Sequence, residues 1–255
     1  MIFVTAINRR YMPGAVALWN SFKHYHKDGR DQFVCVAFGD ASLGDELAAT
    51  GMEVRLNPDV YDDEQVFPAP GVWQRDVIDK DALRALYFRC VLPELFPEEK
   101  RVVWVDADSN FIDGCGELEH FDMNGKVVAA PLTAKRPKIY LEMGKPQKWK
   151  NIITGTMLFD VQQYIERGFA DQMMILMDDY PERFDDSSCN CAINYILEGE
   201  RNVKELPRAY CYNAKRKSNP IGAKILHWSI CEPWDCADKP QEIQNQIEKY
   251  WEPFA

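Results

Sequence analysis

The first 130 residues alternate between short, almost wholly apolar runs and longer stretches in which apolar side chains recur every three or four positions. Runs of the first kind fit strands buried on both faces. Stretches of the second kind fit the helices that cover them, as in a mostly parallel sheet. Ile2 to Ala6 predicts the first strand, Phe33 to Phe38 the second, Glu53 to Leu56 a short third, and Val102 to Val105 the strongest strand of the chain. Pro13 stands at a first helical position, and Val16, Trp19, Phe22 and Lys23 follow at helical spacing, predicting a helix to about His26. Ser42 reads as the cap of a helix that stops at Gly51, and Ala82 to Leu92 reads as a helix closed by Pro93 and Pro97.

From residue 127 on, the same logic predicts the remaining elements. Val127 to Ala130, Thr154 to Phe159 and Lys224 to His227 read as strands; Val161 to Tyr180 reads as a helix broken near Gly168. Cys189 to Leu197 and Gln241 to Tyr250 complete the helices. Asn57 to Gly71 is Pro-rich and acidic, and Lys135 to Lys150 is rich in Lys and Pro; both lack a period and are expected as loops, the second near the site. Without a repeat or a linker, residues 1–255 are expected to form a single α/β domain, a mostly parallel central sheet with helices on both faces.

Composition narrows the classes of partner. The 255 residues are 46% apolar, enough for a sizeable core, and 30 Lys and Arg against 40 Asp and Glu give a formal charge of -10. Nucleic acid and anionic membranes are therefore poor partners, although Lys215, Arg216 and Lys217 form a local cluster able to meet one small anion. No apolar run approaches the ~20 residues of a membrane span, and no signal peptide precedes the first strand, so a cytoplasmic location is expected. The eight Cys are scattered and read as reduced thiols; Cys189 and Cys191 have CxC spacing but lack the second pair that a zinc site needs.

The chemistry concentrates at Asp106 and Asp108, directly after the strongest strand. Ligands of open α/β sheets gather at the carboxyl ends of strands, and two carboxylates one residue apart can turn toward one point. Such a pair suits a hard divalent cation that also takes diphosphate oxygens. His227, after the last predicted strand, offers an imidazole to complete an O,O,N set.

Four segments, FVTAINRRYMPGAVALWNSF, ALYFRCVLPELFPEEKRVVWVDADSNFIDG, NIITGTMLFD and ILHWSICEPWD, together resemble glycosyltransferase family 8, the group containing glycogenin and bacterial lipopolysaccharide galactosyltransferases. The resemblance spans nearly the whole chain and implies a GT-A type fold. It further implies retaining transfer of a hexose from UDP-glucose or UDP-galactose to an acceptor hydroxyl on a glycan, lipid or protein, with Mn²⁺ or Mg²⁺ as cofactor. On the matched positions, Thr5, Ala6, Asn8 and Tyr11 would line the nucleoside, and Arg89 would face the diphosphate. Asp106, Asp108 and His227 would hold the metal, with Asp106 also reaching the ribose and Ala107 beside the donor. Thr154 and Gly155 would lie next to the donor sugar and Asn190 beside the reacting carbon. Asn190, Asp108 and Arg89 are then the implied catalytic residues, and no residue stands out as a nucleophile.

Three positions depart from the family pattern. Ile153 stands where an Asn is usual, Cys189 where an Asp is usual, and Glu232 where a Lys normally meets the diphosphate. Asp185 or Asp186 could replace the lost carboxylate, and Lys224 or Lys215 to Lys217 the lost cation. These departures keep open a catalytically silent nucleotide-binding scaffold of the same fold. A sugar nucleotidyltransferase is the remaining alternative, but it needs a Gly-rich loop after the first strand, and Ala6 to Tyr11 contains no Gly.

Overall fold

A computed structural model of the chain describes residues 1–59, 80–133, 144, 150–179, 188–198, 201–214, 220–229, 232–236 and 238–255. Its centre is a sheet of seven strands: β1 (Ile2–Ile7), β2 (Gln32–Ala37), β3 (Glu53–Leu56), β4 (Arg101–Val105), β6 (Val128–Ala130), β9 (Thr156–Asp160) and β10 (Val203–Glu205). They lie in the order β10-β6-β9-β4-β1-β2-β3. All run in one direction except β9, which is antiparallel to both β4 and β6. The carboxyl ends of β1 and β4 therefore open side by side on one edge of the sheet.

Alternation along each strand sorts the core into two layers. Val4, Val34, Trp104, Met157 and Phe159 pack with Phe88 of α3 (Lys80–Val91), Met173 of α5 (Phe169–Asp179) and Ile193 of α6 (Ser188–Leu197). Phe3, Cys35, Val103, Val105 and Leu158 point the other way, onto Leu18 and Phe22 of α1 (Met12–Tyr25) and Leu43 and Leu47 of α2 (Ala41–Ala49). Both faces are thus covered, which is why β1 is buried at every position.

Sequence and structure part at the ends of elements. The cap of α2 is Asp40, not Ser42: the Asp40 carboxylate accepts from Leu43 N at 3.0 Å, and the Ser42 hydroxyl donates to Asp40 instead. The break predicted near Gly168 is present: α4 (Val161–Glu166) and α5 are separated there, with Gly168 at φ 61°. The predicted strand from Thr154 starts only at Thr156, leaving Thr154 and Gly155 in a turn. Lys224 likewise stands before β12 (Ile225–His227).

Five strands of two or three residues escape sequence periodicity. They are β5 (Ser109–Phe111), β7 (Leu132–Thr133), β8 (Asn151–Ile152), β10 and β11 (Tyr212–Asn213). Together β11, β12 and β5 form a small second sheet, and β7 pairs with β8. Trp228 packs behind the small sheet with Trp251 and with Ile243 and Ile247 of α7 (Gln241–Tyr250). Most of the two predicted loops, 57–71 and 135–150, lies outside the described residues. The described cysteines Cys35, Cys90, Cys115, Cys211 and Cys236 are free thiols, and no described helix is long and apolar enough to cross a membrane.

Candidate functional site

Asp106 and Asp108 occupy the turn between β4 and β5, at the carboxyl edge of the sheet. Pairing brings the third residue to them. β12 runs antiparallel to β5 with His227 opposite Ser109, and Trp228 N donates to Asp108 O at 2.8 Å. The His227 Nε2 atom stands 3.2 Å from Asp108 Oδ1 and 3.4 Å from Asp106 Oδ2. One ligand atom from each of the three residues falls within 4.8 Å of the others.

The Asp106 carboxylate is anchored from behind. The Trp104 indole donates to Asp106 Oδ1 at 2.7 Å, and the Arg89 guanidinium lies 3.2 Å from the same oxygen, leaving Oδ2 turned toward His227. Arg89 is itself buried, donating to Thr154 Oγ1 at 3.0 Å and to Leu86 O at 3.2 Å, with its guanidinium carbon 4.9 Å from the Trp104 ring. Continuing the β4–β9 ladder, Asp106 N donates to Gly155 O at 2.9 Å. The predicted residues Arg89, Asp106, Asp108, Thr154, Gly155 and His227 therefore form one contiguous cluster.

Electrostatics ties the pair Asp108 and His227 together. Burial pushes the Asp108 carboxyl toward its neutral form, but the His227 ring, Arg89 and a backbone hydrogen bond together hold the carboxyl below its ordinary value. Burial likewise works against charging His227, yet Asp108 and then Cys211 raise the imidazole well above 6.5. The imidazole is thus held toward its charged form beside Asp108.

Two carboxylates and an imidazole in this arrangement fit a divalent cation that keeps open positions for phosphate oxygens. Gly155 is part of the fit. A Cβ there would fall 2.6 Å from His227 Nδ1 and 2.9 Å from Cys211 Sγ, so only glycine lets the imidazole stand upright against the turn.

The opening of α1 forms one wall. Thr5 is fully buried and Ala6 nearly so within β1, and Asn8 is buried just beyond it. Tyr11 lies close enough to Asp108 to feel its charge, and its hydroxyl donates to Glu232 Oε1 at 3.0 Å. Burial, Glu232 and Asp108 all push the Tyr11 phenol up, so it stays a donor. Arg10 reaches both Glu232 oxygens, at 3.1 and 3.0 Å. Trp234 meets the Tyr11 ring edge to face at 5.6 Å, and a Cβ on Gly14 would fall 2.6 Å from Ala107 O and 2.7 Å from Trp234. Gly14 thus lets the start of α1, the Asp106–Asp108 turn and the 232–236 segment close on one another.

Some expected contributors are elsewhere. Lys224 does not supply a cation: it pairs with Glu117 at 2.7 Å and Asp113 at 3.4 Å and donates to Gly114 O, beyond the Phe111 end of β5. Lys215 to Lys217 and Asp185 and Asp186 lie outside the described residues, as do the side chains of Cys189 and Asn190, whose backbones belong to the first turn of α6. Sequence reasoning missed three contributors. Trp104 reads as an ordinary strand residue, Cys211 sits in no motif, and the Arg10 partner of Glu232 is 222 positions away.

The sequence profile of glycosyl transferase family 8 matches residues 2–236. No curated protein matches the chain by sequence. Among solved structures, the galactosyltransferase LgtC, in complex with donor and acceptor sugar analogs, superposes with a TM-score of 0.73 at 16% identity, over 98% of this chain and 96% of LgtC. GlyE of Streptococcus pneumoniae gives 0.64 at 13% identity over 97% of this chain and 60% of GlyE. Mouse xyloside xylosyltransferase 1 gives 0.58 at 11% identity, over 89% and 97%. The layout of sheet and helices is thus the GT-A fold of LgtC, and the chain belongs to glycosyl transferase family 8.

Proposed function

We propose that this glycosyltransferase moves a hexose from UDP-glucose or UDP-galactose to an acceptor hydroxyl with retention of configuration, using Mn²⁺ or Mg²⁺, and that residues 1–255 act as one domain. The observation that carries the reading is the convergence of Asp106, Asp108 and His227 beside the buried cation Arg89. A divalent cation bound there would stabilise negative charge on the departing diphosphate. Arg89 adds a fixed positive charge in a dry setting, where it is worth more than in water. Thr5, Ala6, Asn8 and Tyr11 line the nucleoside in this reading, the first two through their main chain because their side chains are buried. Ala107, Thr154 and Gly155 border the diphosphate and sugar, and Asn190 approaches the reacting carbon.

In this reading the acceptor attacks on the face the diphosphate leaves, which retains configuration, with a departing phosphate oxygen taking the acceptor's proton. The acceptor is a glycan, lipid or protein hydroxyl; the acceptor analog bound in the LgtC complex makes a sugar the first one to try.

The test is thermal unfolding with Mn²⁺ and UDP, separately and together, for the wild type and Asp108→Ala. The expected midpoint rise requires both ligands and disappears in the variant. A screen of UDP-sugar hydrolysis and transfer, with the anomer read by NMR, then fixes donor and stereochemistry. A silent nucleotide-binding protein is the second reading, favoured by the Glu232 carboxylate beside Tyr11. Binding of UDP and Mn²⁺ with no turnover of any donor would select it.

A further inference from the structure

Cys211 closes the 3-10 turn Arg208–Cys211 directly before β11, which runs parallel to β12 with Asn213 opposite His227. Its thiol is buried, and Sγ stands 3.5 Å from His227 Nδ1. The two ring nitrogens of His227 are thus divided: Nε2 faces Asp106 and Asp108, and Nδ1 faces sulfur. An imidazole that offers the Nε2 lone pair to a cation carries its proton on Nδ1, and a buried N–H needs an acceptor. Gly155 packs against this contact so closely that even a methyl group would strike both Nδ1 and Sγ.

Resting on the metal-site reading above, we infer that Cys211 is a positioning residue: its sulfur accepts the Nδ1–H of His227 and holds Nε2 between the two carboxylates. The partner that orients a ligating histidine is commonly a carboxylate, a carbonyl or water. A thiol is a weaker acceptor and adds no charge to the buried ring. It fixes the tautomer and the tilt of the imidazole without making it as basic as a carboxylate would. The third ligand is thereby aimed firmly but binds softly.

The experiment is Co²⁺ titration of metal-free protein, without any sugar donor, followed by calorimetry and by the visible absorption of the bound ion. Cys211→Ala removes the acceptor, and Cys211→Val removes it while keeping the volume filled, so one of the two remains usable if the other packs poorly. Both are expected to bind Co²⁺ about 10-fold more weakly, at the low end of the usual effect of losing such a partner, and to shift its absorption. Cys211→Ser, which still accepts a hydrogen bond, should recover part of the affinity. Metal-free melting temperatures report any loss of fold separately. Wild-type affinity and spectrum in Cys211→Ala and Cys211→Val, or no recovery in Cys211→Ser, would overturn the role of Cys211 alone. Failure of the wild type itself to bind Co²⁺ would overturn the metal site and this inference with it.

Discussion

Single atoms decide the site at Gly155. Its main-chain oxygen accepts from Asp106 N, and its missing side chain leaves the room that His227 and Cys211 fill. Gly155→Ala should cost about 1–3 kcal/mol through overpacking. It should also abolish the Mn²⁺-dependent midpoint rise, because the imidazole must tilt away. Urea denaturation and ligand-dependent melting separate the two effects, and a variant that loses stability but keeps the metal response would refute the second. Arg89→Lys is a second residue-scale case. The guanidinium reaches Asp106, Thr154 and Leu86 at once, whereas one ammonium lacks that fork. A fall in kcat/KM of about 10- to 100-fold is expected, the equivalent of losing one hydrogen bond to a charged group. Steady-state kinetics checks it. At this scale the sequence is readable where charge follows a strand, as at Asp106 and Asp108. The fate of Glu232 is not readable, because Arg10 and Tyr11 meet it only after the chain has folded.

A three-residue strand is what joins the two halves of the site. β5 continues from the Asp106–Asp108 turn, and its pairing with β12 delivers His227. Asn110, at its centre, is fully buried; it accepts from Trp228 Nε1 at 2.8 Å and donates to Tyr250 O at 2.7 Å, fastening α7 behind the site. Asn110→Ala leaves the buried Trp228 indole N–H and the half-buried Tyr250 carbonyl without this partner. At about 1–3 kcal/mol for each, a total loss of roughly 2–6 kcal/mol is expected. Hydrogen exchange should show α7 opening before the central sheet, while uniform protection would mean that α7 is held by its apolar face alone. Six of the seven strands of the large sheet, all but β10, were legible, most clearly where strands buried on both faces are continuous apolar runs, as β1 and β4 are. β5, β7, β8, β10 and β11 were not, since two or three residues show no period and their partners come from distant parts of the chain. Cap chemistry fails similarly at α2, where Asp40 and Ser42 both qualify by residue type and only the backbone chooses Asp40.

Taken as one charged body, the molecule favours a cation before a nucleotide. A formal charge of -10 attracts divalent ions and repels UDP, so UDP should bind well only once the carboxylates are neutralised. Protons compete for the same place. His227 is raised well above its ordinary value, so in metal-free protein the charged ring contributes stability fully below about pH 6.5, and this is lost as pH rises through the raised value. Asp108 is lowered, so its contribution holds above about pH 3.9 and is lost as pH falls through the depressed value. A cation on Nε2 must displace the His227 proton. Mn²⁺ affinity should therefore rise with pH by up to about 10-fold per unit, the limit for release of one proton, and level off where the metal-free ring is already neutral. Calorimetry in buffers of different ionisation heat counts the protons released across that range. In His227→Gln the slope should flatten, because an amide competes with no proton; an unchanged slope would assign the titrating group to another residue and remove His227 from the ligand set.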